Sequence, residues 1–397
     1  MRRLGRLRLS VILLAGGAVL LAIGLSACGG GGSSSSASSG GGESTEAAGG
    51  GETGGGEAEG GETEGDEAGS GAEAEGKTVG FVNIVPNEAS EKAENAFKEA
   101  ADVIGWKVVQ GSRAEDVITA EESIQNLLNQ HVDAIVMQSV DPSTLGESLK
   151  RANEEEVPVV IQENGSGYEY LYNGSILAMP DWDFSSQGSV LATFFIRSVL
   201  EKTEGKEAEV IVFTGLPTLP SQQLWLGALE SELQWNPQVK VVARHSVDYT
   251  KPGEDISSFL EQELQAHPNV VGIYTAANLE APATVGAVEA AGKTGEIVIT
   301  SLFADKDLLE LIRQEKLTGI VDVPIEKGSW QSAEALVDYF SGREVDKNTS
   351  LTDPLQPKLI DKSNVPPKGQ EVEYPPFKPT FLKKWCSYGI KGACSVG

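Results

Sequence analysis

From Lys77 onward the chain alternates short β-branched runs with amphipathic stretches. Thr78–Asn83 reads as a strand, and Ala89, Ala93, Ala96, Phe97, Ala100 and Ile104 follow it at helical spacing. Trp106–Gln110 reads as the next strand, and Ile118, Ile124, Leu127 and Leu128 mark the next helical face. Ala134–Met137 is a buried strand, Leu145–Asn153 a helix and Val157–Ile161 a strand. This strand–helix rhythm predicts an α/β fold, a parallel sheet with helices on both faces. A second series starts after about Pro180. Phe184–Leu200 reads as a helix, and Val210–Phe213, Val239–Arg244, Val271–Thr275, Ile297–Ser301 and Gly319–Val323 read as strands. The intervening helices centre on Leu226, Phe259, Val285 and Leu309. Two such series exceed one comfortable hydrophobic core, so two lobes are predicted. From Lys362 the chain turns proline-rich, with Pro366, Pro367, Pro375, Pro376 and Pro379, and reads as an extended wrap over the surface.

The chain before Lys77 has a different texture. Arg2, Arg3, Arg6 and Arg8 form a basic leader, and an apolar run follows from Leu9 to about Gly24. The run ends in Leu25, Ser26, Ala27 and Cys28. A charged head, a short apolar stretch and a small-residue exit make an export signal. Leu-Ser-Ala-Cys resembles the bacterial lipobox, which implies cleavage after residue 27 and a lipid on Cys28. Gly29–Gly76 is almost entirely Gly, Ser, Ala, Thr and Glu. Such a segment cannot bury enough apolar surface to offset chain entropy, so a disordered tether over 28–76 is expected. Its coil span is roughly 40 Å, and its carboxylates extend it further.

Charge narrows the partners. The formal net charge is −27. The tether holds many carboxylates and no basic residue, yet the part from Lys77 to Gly397 is acidic in its own right. An acidic surface argues against a nucleic-acid partner, which needs a basic face. The chain has three cysteines. With Cys28 assigned to lipid, Cys386 and Cys394 remain, close together in the tail. Outside the cytoplasm such a pair can form a disulfide. They lack CxxC spacing and a nearby histidine, so no metal site is expected.

Catalytic chemistry finds little support. His131, His245 and His267 fall in turns or at a strand end, none beside a GxSxG serine or a candidate cysteine. Ala287–Thr294 reads AVEAAGKT, close to a phosphate-loop pattern. A phosphate loop must follow a strand and open a helix. Here a helix precedes the motif, and Gly292 sits where a helix-ending glycine belongs. No enzyme activity and no cofactor are expected.

Polar residues recur at the carboxyl ends of the predicted strands, where open parallel sheets bind ligands. Asn87 and Glu88 follow the first strand, and Gln162, Glu163 and Asn164 follow the fourth. Gln222 and Gln223 follow the Val210–Phe213 strand and its loop. Asn278 and Glu280 follow Val271–Thr275, and Asp322 lies where the last strand reaches Pro324. Their placement at one edge of both sheets predicts a shared cleft.

Four segments in order, QHVDAIVMQSVDP (Gln130–Pro142), EEVPVVIQEN (Glu155–Asn164), AHPNVVGIYTAAN (Ala266–Asn278) and EAAGKTGEIVITS (Glu289–Ser301), carry a resemblance. The chain resembles the periplasmic sugar-binding proteins of the ribose/galactose type, from about Lys77 to Phe340. The resemblance implies the type I periplasmic binding protein fold: two Rossmann-like lobes, each a parallel sheet flanked by helices, joined by a three-strand hinge. The crossings are expected near Tyr172–Asp181, Asp322–Glu326 and Asn348–Thr352. The implied lobes are 77–176 plus 325–349 and 177–324 plus 350–375, with a C-terminal tail over 376–397.

The ligand residues implied are Asn87, Glu88, Gln162, Glu163, Gln222, Asn278, Phe303 and Asp322. Several depart from the family's set. Ala89 and Ser90 stand where aromatic residues are common, Glu163-Asn164 replaces an Asp-Arg pair, and Gln222 replaces an arginine. Phe303 stands in place of an aspartate and Asp322 in place of a glutamine. Phe303, Trp182 or Trp225 are left to supply an aromatic face.

The expected function is that of a monomeric substrate-binding lipoprotein of an ABC importer. It is held outside the cytoplasm by its lipid anchor in the membrane and passes a sugar or sugar-like polar solute to a permease. The alternatives are a receptor for an amine-bearing or other polar solute, and a receptor that reports ligand to a membrane sensor protein.

Overall fold

Strands covered on both faces read as near-continuous apolar runs, and the central strands of this protein follow that pattern as far as polar residues near their carboxyl ends. β1 (Thr78–Asn83), β3 (Ala134–Gln138) and β4 (Val159–Gln162) are buried almost throughout, whereas the edge strand β2 (Lys107–Gln110) is not. The computed structural model describes residues 71–83, 87–111, 117–181, 183–217, 219–275, 277–353 and 355–396. The expected export signal, Cys28, the expected tether as far as residue 70, and Trp182 lie outside the described residues.

The first sheet runs β2-β1-β3-β4, all parallel. Its helices are α1 (Glu88–Ile104), α2 (Val117–Asn129), α3 (Gly146–Glu154) and the short α4 (Tyr168–Tyr172). α1 shows why the chain turns where it does. The Asn87 side chain accepts from the Ser90 backbone N–H at 2.8 Å, Glu88 and Glu91 complement the helix N-terminus, and Gly105 ends the helix at φ 87°.

The second lobe holds α5 (Phe184–Lys202), β5 (Ala208–Phe213), α6 (Pro220–Trp235), β6 (Val239–His245), α7 (Pro252–Ala266) and β7 (Val270–Tyr274). It continues through α8 (Ala281–Ala290), β8 (Val298–Leu302), α9 (Lys306–Arg313) and β9 (Gly319–Asp322). The chain then returns to the first lobe as α10 (Ile325–Phe340), passes the short α11 (Thr349–Thr352), and adds β10 (Lys358–Asp361) to the second sheet. The second sheet runs β10-β9-β8-β7-β5-β6, with β10 antiparallel to β9 and the rest parallel. In both sheets the strand order reverses beside the lobe's first strand, the point at which parallel sheets open a crevice.

The chain leaves the first lobe after Ala178, which bridges Val160 of β4, and reaches the second lobe's core at Phe184. It crosses back between β9 and α10 and again between α10 and β10. The first and third crossings touch, with the Met179 N–H donating to the Lys347 carbonyl at 2.8 Å. A fourth passage was not expected. After β10, residues 362–377 lead back to the first lobe, where α12 (Lys378–Ser387) and α13 (Lys391–Val396) end the chain.

This tail is more than a surface wrap. Phe381, Leu382, Trp385, Ile390 and Ala393 are buried in the same core as Phe81, Phe97, Trp106, Trp330 and Leu336. Trp385 stacks on Trp330 with centroids 5.2 Å apart and planes 3° apart. Cys386 and Cys394 form a disulfide between α12 and α13. The end of the expected tether folds as well. Gly71–Glu73 is a 3-10 turn, Gly71 donates to the Tyr388 carbonyl at 2.8 Å, and the Trp106 indole donates to the Ala74 carbonyl at 2.5 Å. The disorder expected there came from the segment's own lack of apolar residues. Its last residues are held instead through their backbone groups, which bond to the Tyr388 carbonyl and the Trp106 indole.

Candidate functional site

The two lobes touch where α1 begins. Ala89 and Ala93 of α1 pack in one apolar cluster with Phe184, Trp225, Leu302, Val323 and Ile325. The Lys306 backbone N–H, at the start of α9, donates to Oε2 of Glu88 at 3.2 Å, and Glu88 also pairs with Lys92 at 3.3 Å. α1 thus meets the β8–α9 turn across the interlobe boundary.

Beside this contact lies a cavity of about 370 Å3. Ala89 and Lys92 line it from the first lobe, Phe303, Ala304, Asp305 and Asp322 from the second, and Val323, Pro324, Ile325 and Glu326 from the crossing between β9 and α10. Its remaining wall is the segment Glu371–Pro379. A volume of that order suits a small solute.

Two of the sequence-predicted residues, Phe303 and Asp322, come together in this cavity. Phe303 adopts φ 61°, a left-handed conformation that costs a bulky residue energy. The turn holds it there: its N–H donates to the Val321 carbonyl at 3.0 Å, and its ring meets Trp225 edge-on at 6.0 Å. Asp322 is nearly buried. Oδ1 accepts from the Ala304 N–H at 2.8 Å, and Oδ2 accepts from the Tyr374 hydroxyl at 2.9 Å. Burial pushes its carboxyl up to about 6, and the charge of Glu326 adds to the rise, while the two donors and Lys92 work the other way.

Lys92 is the cavity's basic partner from α1. Burial alone would lower its ammonium, but Glu88, Asp322 and Asp305 together hold it above the usual value. Burial raises Asp305, against a 2.5 Å bond that its Oδ2 accepts from the Asn278 amide. Asn278 therefore stands one layer behind the wall and positions Asp305.

Glu163 is buried beyond the end of β4 at φ 59°, with Oε2 accepting from the Gln138 amide at 2.5 Å. Burial raises its carboxyl well above the usual range; Gln138 opposes this, and the charges of Asp181 and Glu326 add to it.

The other predicted residues are engaged within the protein. Asn87 caps α1. Gln162 donates to Ser329 Oγ at 3.2 Å and accepts from Ser332 Oγ at 2.7 Å, tying β4 to α10. Gln222 accepts from the Leu216 N–H at 2.6 Å and donates to the Tyr249 hydroxyl oxygen at 3.3 Å, while Tyr249 donates to Glu280 at 2.6 Å. Gln162 thus links β4 to α10, and Gln222 links the Leu216 turn to Tyr249. Sequence reasoning did not assign Lys92, Asp305, Glu326, Tyr374 or Phe377 to the site. Lys92 was legible as the residue one turn after Glu88 on the same helical face. The tail residues carried no local signal that they return to the cleft.

Among the described residues, no group of three or more His, Cys, Asp or Glu is placed to hold a metal ion. The cavity presents hydrogen-bonding groups, charged side chains and aromatic rings.

The chain is 23% identical over 274 residues to the ribose import binding protein of Bacillus subtilis, covering 69% of this chain and 85% of that protein. It is 24% identical over 292 residues to the D-xylose-binding periplasmic protein of Haemophilus influenzae, covering 70% and 84%. Among solved structures, an ABC transporter periplasmic solute binding protein from Actinobacillus succinogenes with bound D-allose matches with a TM-score of 0.63. That match has 18% identity and covers 73% of this chain and 98% of the other, a likeness of fold. With a model matching residues 79–344, this chain belongs to the periplasmic binding protein domain family.

Proposed function

We propose that this protein is the solute receptor of an ABC importer, capturing a small sugar or polyol between its lobes as a monomer. The observation that carries the reading is the cavity of about 370 Å3, walled by Lys92 from one lobe and by Phe303 and Asp322 from the other. An aromatic face beside a carboxylate and an ammonium matches the apolar ring faces and hydroxyl edges of a sugar. The solutes named for its relatives, ribose and D-xylose, support the same class.

The basic leader, the apolar run and Cys28 support a receptor held outside the cytoplasm on a lipid anchor. The test of the anchor is a Cys28→Ser variant, which should move from the membrane fraction to the soluble fraction; retention in the membrane overturns it.

The excess of carboxylates at the cavity, with Asp305, Asp322, Glu326 and Glu371 against Lys92 and Lys378, favours a second reading in which the solute bears an amine. Calorimetric titration with D-ribose, D-xylose and D-allose, beside small polyamines and amino sugars, separates the two. Binding of the neutral sugars supports the first reading, and binding of amines alone supports the second.

A further inference from the structure

The fourth interlobe passage is short and fixed at both ends. Val372 packs on the apolar core of the second lobe, and Phe377 packs on that of the first, 6.2 Å from the Trp330 ring. Only Glu373, Tyr374, Pro375 and Pro376 lie between those anchors. The prolines restrict φ, so the segment loses little conformational freedom when it takes this path. The Lys358 ammonium donates to the Glu373 carbonyl at 3.1 Å on one side, and Lys378 pairs with Glu99 at 2.6 Å on the other.

Tyr374 stands in the middle of this strap and faces the cavity. Its hydroxyl hydrogen is committed to Oδ2 of Asp322 at 2.9 Å. That leaves its oxygen free to accept from a solute hydroxyl. A carboxylate has about four acceptor positions, and Asp322 uses two, on Ala304 and Tyr374. Tyr374 and Asp322 therefore present adjacent acceptors to one solute. Ala89 offers only a methyl group to the cavity, so its rings come from Phe303, Tyr374 and Phe377. Two of those three rings belong to the strap, outside the family-matched residues 79–344.

We propose that Tyr374 is a specificity-determining residue of the solute site, delivered by the C-terminal strap and reading solute hydroxyls jointly with Asp322. This rests on the proposed sugar-receptor function. Solutes with neighbouring hydroxyl donors would be favoured, and those unable to reach both oxygens disfavoured.

The experiment is calorimetric titration of the full chain, Tyr374→Phe and Tyr374→Ala with D-ribose, D-xylose and D-allose, with melting temperatures recorded alongside. Tyr374→Phe keeps the ring and serves if the alanine variant folds poorly. The expected result is a three- to tenfold loss of affinity for the preferred sugar in Tyr374→Phe, of about the size of one hydrogen bond, with a changed order of preference among the three. Wild-type affinities for all three in both variants overturn the assignment alone. A loss confined to Tyr374→Ala makes Tyr374 a packing residue and overturns it too. A wild-type chain that binds none of the three overturns the sugar reading and this assignment with it.

Discussion

Trp385 of the C-terminal helix α12 lies parallel to Trp330 of α10, ring on ring at 5.2 Å, and both are fully buried. The stack joins a segment beyond the family-matched residues to the central helix of the first lobe. The tail is thus a structural part of that lobe.

The first prediction follows from this packing. Trp385→Ala leaves a large void against Trp330 and Phe381, and large-to-small changes of this kind cost about 3–5 kcal/mol. Urea unfolding should show that loss, with Trp385→Phe losing less. An unfolding midpoint equal to that of the wild type would mean the tail is dispensable.

Gly392 tests the same interface from the backbone. A Cβ built there would stand 2.0 Å from the carbonyl oxygen of Val103 in α1. Gly392→Ala must push α13 away from α1, and overpacking of that kind costs about 1–3 kcal/mol. The variant should melt below the wild type, whereas Gly389→Ser, where space is open, tests only the strain of φ 92°.

The Cys386–Cys394 disulfide closes a short loop between α12 and α13. Chain entropy puts its contribution at about 2.5 kcal/mol. Cys394→Ser should lower stability by up to that amount, and adding reductant to the variant should change nothing further. An equal effect of reductant on wild type and variant would disprove the role of this bond.

Asp322 predicts a pH dependence. Its carboxyl lies at about 6 in the folded protein, pushed up chiefly by burial, against about 3.9 in an unfolded chain. The folded state therefore binds the proton more tightly. The resulting stability is fully present below pH 4 and is lost as pH rises through 6, by about 3 kcal/mol at most. Asp322→Asn removes the ionisation, so its melting temperature relative to the wild type should rise between pH 4 and pH 7. A constant difference across that range would show that Asp322 does not titrate there. Lys92→Met removes a cation that favours the charged carboxylate, and should steepen the wild-type decline.

The hydrophobic pattern by itself determined the α/β series, and Thr78–Asn83 has the same bounds in the sequence reading and in the structure. Strand and helix follow from local periodicity, which a run of residues carries whatever it packs against. Of the polar strand-end residues named from the sequence, Asp322 lines the cavity, and Phe303, named through the family resemblance, lines it too. Tertiary structure decided the rest. Gln162 and Gln222 stand at strand ends in the sequence, and the fold adds that their amides meet Ser329, Ser332 and Tyr249, partners from distant parts of the chain. Tyr374 looked like one residue of a proline-rich wrap, yet it meets Asp322 from 52 positions away. A hydrogen bond or a ring stack depends on positions in space, and no local pattern records which distant residue will arrive there. That is why the fold could be read along the chain, while the walls of the cavity and the core role of the tail appeared only once the chain was folded.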